Sequence, residues 1–231
     1  MFARAVLLAA DLGILQTAGP RPARRGLSDN VRVADQLYLS LWLDLPRPES
    51  RMRHFEAMLR LFPFSQRDNQ PQTTVSVLAI DETEPPLLEH PMNGPIDVED
   101  VIGLIKEYRG SDIAHRVEGW WDLWQYEGEW KLASARVILS CFGADFDSGV
   151  VEVDGEPEQL RIDLGVDTNF LPQPEIAGSG RLIESNIKSL LRLVHEIENK
   201  LPVRKRVLGT ETGENFADRL QRLLTSIGPT Q

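Results

Sequence analysis

Between Val117 and Phe142 polar and apolar side chains alternate with period two, interrupted only around Glu127-Gly128. That pattern puts successive side chains on opposite faces of a strand and commits the segment to a long β-hairpin. The strands are predicted over Val117–Tyr126 and Trp130–Phe142, with Gly128 supplying the positive φ that tight turns favour. Four of the five tryptophans, Trp120, Trp121, Trp124 and Trp130, fall in this hairpin. A two-residue turn at Glu127-Gly128 groups Trp121, Leu123, Trp130 and Leu132 on one face, and Trp120, Trp124 and Tyr126 on the other, with Lys131 opposite Trp124. One aromatic face belongs in a core. The second is either covered by helices or offered to a partner.

The rest of the chain surrounds the hairpin with both kinds of element. Alternating leucines from Leu37 to Leu43 predict a half-buried strand within Val33–Leu43, closed by Pro46 and Pro48. Met52, Phe55, Leu59 and Phe62 recur at helical steps, so Glu49 to Phe62 is predicted helical and ends at Pro63. Thr73–Ile80 is β-branched and apolar, a strand. A proline-rich loop then leads to a helix over Asp97–Tyr108, with Asp97 as its N-cap. Short strands follow at Val150–Val153 and Leu160–Leu164. Ile183, Ile187, Leu190, Leu191, Val194 and Ile197 make the apolar stripe of a helix over Arg181–Lys200, and a last helix spans Glu214–Ile227. The expected fold is therefore α+β, a mixed β-sheet with amphipathic helices packed on it.

An offset of 86 residues aligns Leu78-Ala79-Ile80-Asp81 with Leu164-Gly165-Val166-Asp167, Pro86 with Pro172 and Leu104 with Leu190. This suggests two pseudo-symmetric halves, 31–110 and 111–231, within one domain over 31–231. Residues 1–30 read as a flexible N-terminal extension: Asp11 interrupts the apolar run, and a Gly-Pro-Arg-rich linker follows.

Composition removes several functions. The 231 residues carry a net charge of −10, the wrong sign for a phosphate-backbone binder, and no apolar run is long enough for a membrane span. Charge is uneven, with 14 acidic against 4 basic residues over 111–180. A single cysteine, Cys141, excludes an intrachain disulfide and is expected as a buried thiol in a cytoplasmic protein of bacterial type. No phosphate-binding loop and no nucleophile elbow is present, and His54, His90, His115 and His195 lack metal-ligand spacing. Gly178-Ser179-Gly180-Arg181 opens a helix as an ordinary cap or as an anion site. Asp145 to Glu156 imitates a calcium loop but has Val150 where glycine is required.

Two functional readings remain. The first is a non-catalytic protein that binds a protein partner or self-associates, without cofactor, metal, nucleic acid or membrane, using Trp120, Trp124, Tyr126 and Lys131. The second is a divalent-metal-dependent hydrolase built on the strand-end aspartates Asp81 and Asp167, with Asp163 nearby.

Overall fold

The computed structural model describes residues 34–220 apart from 46, 48–49, 68–69, 148–149, 174, 214–215 and 217–218. The N-terminal extension lies outside these residues, as does most of the last predicted helix, of which Phe216, Arg219 and Leu220 are helical.

The order of elements is β1 (Gln36–Leu43), α1 (Arg51–Leu61), β2 (Thr73–Ala79), β3 (Leu88–Met92), α2 (Val98–Ile105), β4 (Ile113–Tyr126) and β5 (Trp130–Phe142). There follow β6 (Glu152–Val153), β7 (Glu156–Pro157), β8 (Leu160–Val166), a 3-10 turn (Asp167–Asn169), α3 (Ser179–Lys200) and β9 (Val203–Thr210). Seven strands form one sheet in the order β3-β2-β4-β5-β8-β1-β9, while β6 and β7 make a separate ribbon.

The α+β class is as expected, but the sheet is not mixed. Every pairing among the described strands is antiparallel. The helices alternate with strands in sequence, yet none makes a crossover between adjacent parallel strands, so the parallel pairs that define a mixed sheet never arise. Nor do the two matched segments follow one course. After Asp81 the chain turns back into β3, whereas after Asp167 it makes a 3-10 turn and runs on to α3. Pseudo-symmetric halves are not seen.

Burial follows the alternation. On one face Leu37, Leu39, Leu41, Val75, Val77, Val117, Trp121, Leu123, Val137, Leu139, Ile162 and Leu164 join a single core with Phe55, Met58 and Leu59 of α1, Val101 and Ile105 of α2, and the Ile183–Ile197 stripe of α3. Among the described residues these three helices, together with Phe216 and Leu220, cover that face. Asp97 caps α2 as expected, its carboxylate accepting from Glu99 N at 2.8 Å and Asp100 N at 3.3 Å. Cys141 and His115 sit in the same layer. Burial pushes the Cys141 thiol up to about 11 and holds the His115 imidazole down to about 4, so both stay uncharged at neutral pH.

The opposite face carries the even-numbered residues of β4 and β5, and the segment following β5 covers one end of it. There Phe146 and Val150 pack on Leu78, Ala114 and Phe142, and Trp42 donates its indole N–H to Glu156 O at 2.9 Å. Among the described residues the rest of this face has no helix over it.

Candidate functional site

The open part of the sheet is organised by register. Directly paired residues point to the same side, and the β4–β5 ladder pairs Tyr126 with Trp130, Trp124 with Leu132, Asp122 with Ser134, and Trp120 with Arg136. Three residues, Glu127 to Glu129, therefore separate the paired ends, with Gly128 at φ +81°. The expected two-residue turn is corrected to a three-residue loop. One extra residue shifts the register by one, which moves every β5 side chain to the other face. Trp130 and Leu132 consequently join Trp124 and Tyr126 on the open side. Lys131 leaves it, pairing with Gln125 in register and making an ion pair with Glu127.

Trp120 and Trp124 are each partly exposed, and Tyr126 and Leu132 are 42% and 41% exposed. Trp121, by contrast, is a core residue whose ring meets Phe62 edge-on at 5.5 Å. The hairpin tip is held from α3. Asn186, itself buried, accepts from Trp124 N at 2.9 Å and donates to Trp124 O at 2.9 Å and to Asn169 O at 2.7 Å. Trp130 donates its indole N–H to Ala177 O at 2.8 Å. The tip is thus presented as a fixed surface.

Behind the aromatic end, charged rows cross the sheet. Glu118, Ile138, Asp163 and Tyr38 share one row, and Arg116, Ser140, Arg161 and Ser40 the next. Arg116 pairs with Glu82 at 2.5 Å and Arg136 with Glu118 at 2.5 Å. Arg161 pairs with the buried Glu158 and lies between the rings of Tyr38 and Phe142, at 5.6 and 5.1 Å. Burial raises the Glu158 carboxyl despite that arginine.

Asp163 marks a break in the sheet. β5 and β8 pair only from Ile138–Asp163 to Cys141–Leu160, and beyond Asp163 the two strands part. The gap is a cleft of about 300 Å³ lined by, among others, Gln36, Gln125, Ser134, Arg136, Asp163 and Asn169. Gly165 permits this path: its φ is +76°, and a Cβ there would lie 3.1 Å from Arg136 O. Gly165→Ala is expected to cost about 1–2 kcal/mol, the usual penalty of a left-handed non-glycine residue, read as a lower urea midpoint with unchanged m-value. Burial pushes the Asp163 carboxyl up to about 6, against the opposing pull of Arg161 and Arg116.

The remaining acidic candidates are occupied locally. Asp81 closes a turn, accepting from Thr83 N at 2.6 Å, Thr83 Oγ1 at 2.7 Å and Glu84 N at 3.2 Å. Asp167 is fully buried, accepts from Asp35 N at 3.1 Å and forms an ion pair with Arg219. Because β2 and β8 run in opposite directions, Asp81 and Asp167 lie at opposite ends of the sheet, roughly 20 Å apart or more at about 3.3 Å per residue. They do not share a site. Among the described residues no group of three or more His, Cys, Asp or Glu side chains is placed to hold a metal ion. Ser179 is buried and its hydroxyl accepts from Gln173 N at 2.8 Å, so it closes the loop before α3.

Comparison with known proteins gives no relative: no family model, no curated protein and no solved structure matches this chain. Among the described residues no helix is long and apolar enough to cross a membrane.

Proposed function

We propose that the protein works without chemistry of its own, by binding a protein partner through the open end of its sheet around the β4–β5 tip. The observation that carries this reading is the aromatic and aliphatic surface of Trp124, Tyr126 and Leu132 on the face that the helices among the described residues leave uncovered. Ile80 and Leu87, 54% and 53% exposed, form a second apolar spot at the far end of β2. It lacks the rigid aromatic anchors that dominate interface energetics.

The sheet edges favour a different protein over a second copy. Edge strand β3 contains Pro91, which has no N–H to donate, and edge strand β9 carries Arg204, Lys205 and Arg206. Both devices oppose edge-to-edge pairing. The net charge of −10 also repels a like chain. Glu127 and Glu129 rim the tip, so the partner surface is apolar at its centre and basic around it. The same charge argues against nucleic acid, and the lone buried thiol fits a cytoplasmic setting.

A heterologous protein is expected to co-purify with wild type, and replacing both exposed anchors, Tyr126→Ser with Leu132→Ser, is expected to lower its recovery roughly thirtyfold, the effect of losing an interface hot spot of about 2 kcal/mol. Stability should stay within about 0.5 kcal/mol of wild type. Undiminished recovery would overturn the proposal.

A further inference from the structure

Where β8 turns away, β5 is left with a stretch of backbone that has no neighbour. Along β5 the even-numbered residues direct their N–H and C=O groups toward β8, as Phe142 N does in donating to Gln159 O at 2.9 Å. The odd-numbered residues direct theirs toward β4. Trp124, the β4 partner of Leu132, accordingly spends its own N–H and C=O on the Asn186 side chain. The ladder with β8 ends at Ile138–Asp163, and Ser134 stands about 13 Å further along. Among the described residues no strand lies beside β5 there, and no hydrogen bond reaches the backbone of Ser134 or Leu132 on that side. This inner edge is also unprotected. The outer edges of the sheet carry Pro91 in β3 and Arg204, Lys205 and Arg206 in β9, which keep other strands away. Leu132 to Ala135 reads Leu-Ala-Ser-Ala, with neither proline nor charge, and runs straight into the exposed Leu132 and Tyr126 surface.

We propose that the protein partner inserts an extended segment here as an added antiparallel strand, exchanging backbone hydrogen bonds with Ser134 and Leu132. The inference rests on the partner reading and specifies how that partner docks. Register sets the chemistry of the guest. Its residue opposite Leu132 falls on the open face beside Trp124 and is apolar. Its residues opposite Ala133 and Ala135 meet only methyl groups and are β-branched. Its C-terminal end runs toward Glu127 and Glu129 at the hairpin tip and is basic.

The probe is the peptide acetyl-Thr-Val-Thr-Val-Ile-Thr-Lys-amide, titrated into the isotopically labelled full chain and followed by NMR. In the free chain the amides of Leu132 and Ser134 are expected to exchange with solvent faster than those of Ala133 and Ala135, which the β4 ladder holds. The peptide should bind with a Kd of about 1 mM and slow the exchange of the first pair. N-methylation of its third and fifth residues, which face Ser134 and Leu132, should weaken binding at least about tenfold, whereas N-methylation of the fourth, whose N–H points away from β5, should not. Ser134→Pro removes the edge N–H, spares the β4 ladder and should weaken binding likewise; the methylated peptides decide the matter on wild type if that variant misfolds. Slow exchange of Leu132 and Ser134 in the free chain, equal binding by all the methylated peptides, or no saturation below about 10 mM would overturn the inference. The titration involves no cellular partner, so its failure removes strand addition alone, while the lack of any co-purifying protein removes the partner reading.

Discussion

Asp167→Asn is expected to destabilise the protein by about 3–5 kcal/mol, the usual consequence of removing one member of a buried ion pair. Asp167 is fully buried and its partner Arg219 is only 18% exposed. The amide keeps the bond from Asp35 N but leaves the guanidinium without its counter-charge in a site that water reaches poorly. Arg219 belongs to the C-terminal segment whose Phe216 and Leu220 enter the core, so the loss loosens that segment as well. Urea unfolding followed by tryptophan fluorescence reads the effect, and an Asp167→Asn, Arg219→Met double variant should recover part of it. A midpoint like that of wild type would show that Asp167 is not structural and would restore its candidacy as a functional aspartate.

Asp163→Asn should act in the opposite direction. Its folded-state carboxyl is pushed up to about 6 from an ordinary value of 3.8, so between these limits the native state holds a proton that the unfolded chain releases. Stability from this group is complete below about pH 4 and is lost as pH rises through about 6. At about 1.4 kcal/mol per pH unit the loss is roughly 2–3 kcal/mol, taken at the lower end for a side chain that is not fully enclosed. Asp163→Asn removes the charge while keeping the shape. The variant is therefore expected to be about 2 kcal/mol more stable than wild type at pH 7.5 and indistinguishable from it at pH 4. A difference that does not change with pH would contradict the desolvation argument.

Much of the fold was legible because it rests on periodicity. The leucines of β1, the helical spacing of α1 and α3 and the Asp97 cap each have a local cause that sequence displays directly. β3 and β9 were not legible. Pro91, Glu89 and His90 hide the first and Arg204-Lys205-Arg206 the second, and these residues are where they are because both strands form edges. The face assignment on β5 turned on one residue. Alternation identifies the two sides of a strand but not which side matches its neighbour's, and a three-residue loop in place of two reversed the answer. The cleft was beyond sequence reasoning for another reason. Gln36, Gln125, Ser134 and Asp163 come from β1, β4, β5 and β8, and only the parting of two strands brings them together. Asp163 shows in the sequence only as an acidic residue near a strand end, which suggests metal chemistry, and no spacing rule reveals that burial raises its carboxyl.

The open end of the sheet can be tested directly with a photo-crosslinking residue placed at Leu132, on the exposed tip, and as a control at His195, exposed on α3. Irradiation of cells producing each full-length chain is expected to give one discrete adduct with a different protein from position 132 and none from position 195. An adduct of twice the chain's own mass, the same adducts from both positions, or no adduct from position 132 would contradict the assignment of this face to a protein partner.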